Sequence, residues 1–204
     1  YTAPHTPLQG PDPTKTQIKE EAYPLMIQEV DKGVGEIVAA LQAAGIAENT
    51  FLVFTADNGH SKHSPGSALI YREMKGTIYE GGHRVPTVFK WPGKIEAGTS
   101  SDQTAMTIDL MPTMLELAGA KLPEGREIDG VSLAGQLLEK EKLPRRQLFW
   151  DVRNSQAVRS KQWKLILDQK GGTELYDLES DPGEKANVAT ENPETATELL
   201  AAVK

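Results

Sequence analysis

The 204 residues contain no cysteine. That excludes disulfides, thiolate metal centres and any cysteine-derived nucleophile within them, and it leaves the compartment open, since a secreted protein can also lack cysteine. No run approaches the roughly 20 apolar residues that a membrane-crossing helix needs. The first residues also lack the basic-then-apolar form of a signal peptide, so nothing in the sequence addresses a membrane. Basic residues are in deficit, 22 against 29 acidic ones, for a formal net charge of -7. A nucleic-acid binder needs a dense Lys/Arg face to neutralise phosphates, so this balance argues against one; an anionic substrate would have to be met by a local positive site. With 38% hydrophobic and 25% charged residues, the chain has the composition of a globular protein on the polar side rather than of a disordered one. Its length allows one ordinary core, or one larger piece and a small satellite.

What is present reads as a layered α/β chain. Tyr1-Thr2-Ala3-Pro4-His5-Thr6-Pro7 has no start signal and reads as a strand end entering a proline-punctuated loop. From Gln17 to Ala44 the apolar residues Leu25, Ile27, Val30, Val34, Ile37, Val38 and Leu41 recur at helical spacing, with Pro24 as a break or first-turn residue and Gly45 as the cap. Thr50 to Ala56 is a nearly unbroken apolar, β-rich run, expected to be a parallel strand buried on both faces. Asn58 to Gly82 is polar, irregular and too long for a plain connector, which points to a functional loop. Further elements are expected as a strand over Arg84–Trp91, a helix over Thr107–Ala118 ended by Gly119, and a short helix over Ser132–Glu139. The pattern then changes to short strands at Gln147–Val152, Gln156–Val158, Trp163–Leu167 and Glu174–Leu178, followed by a helix near Pro193–Val203. Residues 1–140 therefore read as part of an α/β domain, and 141–204 as a small antiparallel sheet with one helix packed beside it.

The chemistry gathers in two places. Asp57-Asn58-Gly59 stands at the carboxyl end of the strand, where open α/β sheets place their ligands. Taken alone it is a good turn sequence. Its carboxylate and side-chain amide oxygen are also two hard donors for a cation such as calcium, which takes six to eight oxygens, so other ligands would be needed. The second place is Lys75-Gly76-Thr77-Ile78-Tyr79-Glu80-Gly81-Gly82-His83-Arg84-Val85-Pro86, where glycines permit close backbone approach and a lysine stands at the rim. Glu80 and Arg84 are expected to fix this loop by ion pairing. His60, His63 and His83 are assigned to the shape of the site rather than to metal, because calcium prefers oxygen. Trp150 and Trp163 read as packing residues of the small sheet.

Taken together, an apolar strand, Asp-Asn-Gly, a variable loop, Lys-Gly-Thr and Tyr-Glu-Gly-Gly-x-Arg-Val-Pro resemble the formylglycine-dependent sulfatases of the alkaline-phosphatase-like superfamily. Ala3-Pro4-His5-Thr6-Pro7, Val30-Asp31-Lys32-Gly33-Val34-Gly35, Ile108-Asp109-Leu110-Met111-Pro112-Thr113, Gly125-Arg126-Glu127-Ile128-Asp129-Gly130 and Tyr176-Asp177-Leu178-Glu179-Ser180-Asp181-Pro182 resemble segments of the same family in the same order. The resemblance implies an α/β fold that is part of an alkaline-phosphatase-like layered sheet with flanking helices. It also implies hydrolysis of sulfate monoesters on a small molecule or carbohydrate, and a periplasmic, secreted or lysosomal setting. Carried over residue by residue, it implies that Asp57 and Asn58 bind Ca2+, that Lys75 contacts the sulfate, and that His5 contacts the sulfate or the leaving oxygen.

The family's earlier features, paired metal-binding aspartates and a Cys-x-Pro-Ser-Arg-like segment whose cysteine becomes formylglycine, have no counterpart in these residues. The expectation is therefore a C-terminal portion that holds a partial calcium site, lacks the nucleophile, is inactive alone and partners the missing N-terminal part of the same domain. Two other readings stay open: a phosphatase or phosphonate-ester hydrolase of the same superfamily, which Asn58 in place of histidine disfavours, and a non-catalytic structural module.

Overall fold

The computed structural model describes residues 19–62 and 70–203, with side chains from Tyr23 onward. His5 and His63 lie outside the described residues. Helix α1, Lys19–Ala43, runs through Pro24 rather than starting at it, and Gly45 follows with φ +69 as the left-handed residue that ends it. Val38 and Leu41 from its last turns line a crevice with Thr50, Leu52 and Lys90, so the helix lies along the first sheet.

That sheet has two strands, β1 (Leu52–Thr55) and β2 (Thr87–Lys90), paired antiparallel from Leu52 opposite Lys90 to Thr55 opposite Thr87. This corrects the expectation of a parallel strand buried on both faces. A parallel return needs a crossover of a dozen or more residues, usually a helix. Between β1 and β2 the described chain contains only a four-residue helix, α2 (Glu80–His83), which turns it straight back. Phe51 stacks on Phe89 at 5.8 Å between ring centres and Trp91 donates from Nε1 to the Glu48 carbonyl at 2.8 Å, which locks the strand ends together.

Downstream, α3 (Leu110–Leu117) carries Pro112 in its first turn, where no amide is needed, and ends before Gly119 at φ +67. Asp109, fully buried, organises the next stretch. Its carboxylate accepts from the amides of Met106 at 2.7 Å and Val131 at 2.9 Å and from Arg146 Nη1 at 2.6 Å. Burial works against its ionisation, but the Arg146 hydrogen bond and the two amides hold its pKa below the usual carboxylate range. One side chain thus ties α3 to the segment leading into α4 (Ala134–Glu139) and to the approach of the second sheet.

The second sheet is an antiparallel meander, β3 (Gln147–Val152), β4 (Ser155–Ser160), β5 (Trp163–Leu167) and β6 (Thr173–Asp177), each strand paired with the next. Alternation sends Ala157, Ile166 and Tyr176 to one face, where they pack on Ile78, Tyr79 and Leu178. Val158, Leu165 and Leu175 point to the other face, under Leu199 and Ala196 of α5 (Pro193–Ala202). Covered on both sides, β5 reads as a continuous apolar run broken by one charge, Lys164. Among the described residues no helix is long and apolar enough to cross a membrane.

Candidate functional site

Asp57 and Asn58 follow β1 after a single residue. The Asn58 side-chain amide donates to Asp57 Oδ1, which leaves Asn58 Oδ1 and Asp57 Oδ2, on adjacent residues, as hard oxygens that take no hydrogen bond from a described residue. Such a pair fits part of a calcium shell. No group of three or more His, Asp or Glu side chains capable of holding a metal occurs among the described residues, so the pair would be two ligands of a larger set.

The turn they stand on is fixed from behind. Gly59 donates its amide to the Gly82 carbonyl at 2.9 Å, and a Cβ on Gly59 would lie 1.8 Å from the Gly81 oxygen, so only glycine fits. Lys75 donates its amide to the His60 carbonyl at 2.9 Å. These two bonds bring Asp57, Asn58 and Lys75, separate in sequence, to one place. Thr77 closes the turn under Lys75 with its amide and hydroxyl both donating to the Met74 carbonyl, at 3.1 and 2.8 Å. Lys75 is exposed at the tip and forms no ion pair with a described residue. Gly81 and Gly82 are close-approach positions too: a Cβ on either would lie 2.2 Å from the Glu73 oxygen or 2.3 Å from the Thr77 oxygen.

Beneath the glycines lies a buried ion cluster. Lys164 Nζ, with no exposed side-chain surface, stands 3.0 Å from Glu80 Oε1, 3.2 Å from His83 Nε2 and 2.8 Å from Glu184 Oε1, the last an ion pair without hydrogen-bond geometry. Glu184 Oε2 accepts the Glu80 amide at 2.7 Å, while Arg84 and Arg159 approach Glu80 Oε2 at 3.4 and 3.7 Å. Burial opposes ionisation of Glu80, but Lys164 and the other cations outweigh it and its pKa lies below the ordinary value. For Glu184 burial prevails, only partly offset by Lys164, and its pKa is raised. His83, stacked on Trp150 at 4.8 Å, is pushed down to about 4 by burial and then by the Lys164 charge, so it is neutral and accepts from the ammonium. The cluster pins α2, α2 positions the Gly82 carbonyl, and that carbonyl holds the turn bearing Asp57 and Asn58.

Glu80 and Arg84 pair as the sequence predicts, but Lys164 and Glu184 were not anticipated. The available signal was Lys164 itself, a charge inside Trp-Lys-Leu-Ile-Leu that must find a buried partner. His60 stands behind the site with its Nδ1 buried and without a hydrogen-bond partner among the described residues.

The described residues thus put two hard side-chain oxygens just past a strand end and join that turn, through a glycine-packed loop, to the turn bearing Lys75. The Sulfatase family model matches residues 2–120, and the model for the C-terminal region of N-sulphoglucosamine sulphohydrolase matches residues 73–203. The chain belongs to the sulfatase family. A sulfatase of Formosa agariphila is 38% identical, the match covering 93% of this chain and 38% of that protein. Arylsulfatase A of Bos taurus is 36% identical over 87% of this chain and 41% of its own length. Among solved structures, Ps i-CgsB in complex with k-i-k-neocarrahexaose superposes with a TM-score of 0.87 at 31% identity, covering all of this chain and 48% of that one. A protein solved with its substrate D-glucosamine-2-N,6-O-disulfate gives a TM-score of 0.74 at 27% identity, over 89% of this chain and 38% of that chain. The fold is therefore that of the alkaline-phosphatase-like sulfatases. The chain spans about two-fifths of the length of the curated relatives it matches, 38% and 41% for the two named.

Proposed function

We propose that the full-length protein hydrolyses sulfate monoesters of a carbohydrate or other small molecule, and that these residues supply part of its calcium and sulfate site. Asp57 and Asn58 are two of the calcium ligands, Lys75 binds a sulfate oxygen, and His5 serves the sulfate or the leaving oxygen. Bound calcium would add positive charge where the sulfate's oxygens gather negative charge. Lys75 is suited to its part as a compact point charge on an exposed turn, best used where charge develops as the S–O bond breaks. Residues 1–140 belong on this reading to the catalytic domain and 141–204 to a small subdomain. The remaining length of the relatives corresponds to the part carrying formylglycine and the other metal ligands, without which this chain alone has no attacking group.

The observation that supports the reading is the pair of 2.9 Å backbone hydrogen bonds, Gly59 to Gly82 and Lys75 to His60, which tie the Asp57-Asn58 turn to the loop that carries Lys75. The test is to co-express the full-length protein with a formylglycine-generating enzyme and assay 4-nitrophenyl sulfate against 4-nitrophenyl phosphate, with and without a calcium chelator. Turnover that favours sulfate, needs calcium and disappears in Asp57→Ala is expected. Preference for phosphate, or full activity in Asp57→Ala, overturns it.

A further inference from the structure

The β3–β4 hairpin closes on Arg153 and Asn154, with φ +51 and +65, in the two-residue turn set by pairing of Val152 with Ser155. Asparagine tolerates the left-handed region; arginine has no conformational reason to sit there. Yet Arg153 is held in place, its carbonyl accepting from the Gln169 side chain on the neighbouring turn. Its guanidinium lies over Gly76, so that a Cβ built there would stand 3.1 Å from Arg153 Nη2 and 3.4 Å from its Cζ. Gly76 itself has φ +85 and directly follows Lys75. The small sheet thus delivers a second cation beside the lysine of the sulfate site.

Arg72, Arg84, Arg146 and Arg159 each lie between 2.5 and 3.7 Å from a carboxylate, whereas Arg126, Arg145 and Arg153 have no ion pair among the described residues, and of these three it is Arg153 that lies against the Lys75 turn. Arg153 and Lys75 form no ion pair among the described residues, in a chain with an excess of acidic groups, 29 against 22 basic. Two unpaired neighbouring cations, one a point charge and one a planar fork suited to bidentate oxygen pairs, match two anionic groups on one ligand.

We infer that Arg153 is a specificity-determining residue, which takes a second anionic group, sulfate or carboxylate, on the sugar whose scissile sulfate Lys75 holds. This rests on the sulfatase reading above. The test uses the full-length protein, its Arg153→Ala and Arg153→Lys variants, and three substrates: a singly charged aryl sulfate, a disulfated sugar, and a monosulfated disaccharide bearing a uronate. In Arg153→Ala the ratio of kcat/KM for a doubly charged substrate to that for the aryl sulfate should fall at least about tenfold, chiefly through KM, with Arg153→Lys intermediate. Whether the disulfated or the uronate arm collapses identifies the group that Arg153 binds. An unchanged ratio, or an equal fall on all three substrates, overturns the inference. If the wild type hydrolyses none of the three, the sulfatase reading fails separately, and calorimetric titration with the disulfated sugar and the uronate disaccharide decides this one. A tenfold weaker Kd for either in Arg153→Ala supports it, and equal affinities overturn it.

Discussion

The two sheets of this molecule are both antiparallel and both built from apolar, β-rich runs, but they are buried to very different degrees. In β4–β6 the chain covers both faces itself, and Val158, Leu165 and Leu175 have no exposed surface, while Phe149 on the edge strand β3 stays 50% exposed. In β1–β2 no residue is fully buried, and Phe54 and Val88 remain 44% and 58% exposed. An apolar run therefore shows that a strand seeks burial without showing what buries it. The proposed site lies on the open region, at the end of β1, while the rigidity behind it comes from the closed one through Lys164 and Glu80. The predictions that follow test this division of labour.

The largest effect is expected in the closed sheet. Lys164→Met removes the cation shared by two buried carboxylates, and breaking a buried ion pair on one side typically costs about 3–5 kcal/mol. Urea denaturation should show that loss. If the midpoint barely moves, the cluster does not hold α2, and the proposed link to Asp57 and Asn58 goes with it.

Next comes acid sensitivity. His83 has its pKa depressed to about 4, against an ordinary value near 6.5. Between these values the unfolded chain takes up a proton that the folded chain refuses, so stability is full above about pH 6.5, falls as pH drops, and levels off below about 4, a loss approaching about 3 kcal/mol. His83→Gln should flatten that part of the pH profile. A slope that survives the substitution would assign the acid sensitivity to other groups.

Lys75→Ala sharpens the contrast from the open side, where the side chain is exposed and has no ion pair among the described residues. It should leave urea stability within about 0.5 kcal/mol, while in the full-length protein kcat drops about 100-fold, as for loss of one electrostatic contact to a transition state. A rise in KM with kcat held within threefold would reduce Lys75 to a ground-state binder.

Much of this was legible in the residues. Helix α1, the proline in the first turn of α3 and the four short strands follow from periodicity and turn chemistry, and β5 matches its expected span from Trp163 to Leu167. The pairing of the Asp57 turn with the Lys75 turn was readable only through the family pattern, since no local rule joins residues on either side of a variable loop. The direction of β1 was misread because a nearly unbroken apolar run fits a strand covered by either parallel or antiparallel neighbours. Arg153 was invisible because its relevance comes from a contact with Gly76 across the two regions, and a hairpin arginine otherwise reads as solvated.

The smallest effect is the one that tests the comparison most directly. Phe54 is well exposed on β1, so Phe54→Ala in this 204-residue chain removes little buried surface and should change the urea midpoint by less than about 0.5 kcal/mol, measured at low concentration to avoid self-association. Leu175→Ala, at zero exposure in the closed sheet, should cost about 2–5 kcal/mol in the same assay. In the full-length protein the Phe54 result should change. If the additional length carried by the relatives folds over β1, Phe54 becomes a core residue and the same substitution should cost about 3–5 kcal/mol, the usual range for a buried phenylalanine. A cost that stays negligible there would show that this face of β1 is left open in the complete protein, and its apolar surface would then require a partner of another kind. A large cost already in the 204-residue chain would show instead that β1 is covered within it, and that the contrast between the two sheets is smaller than their exposures indicate.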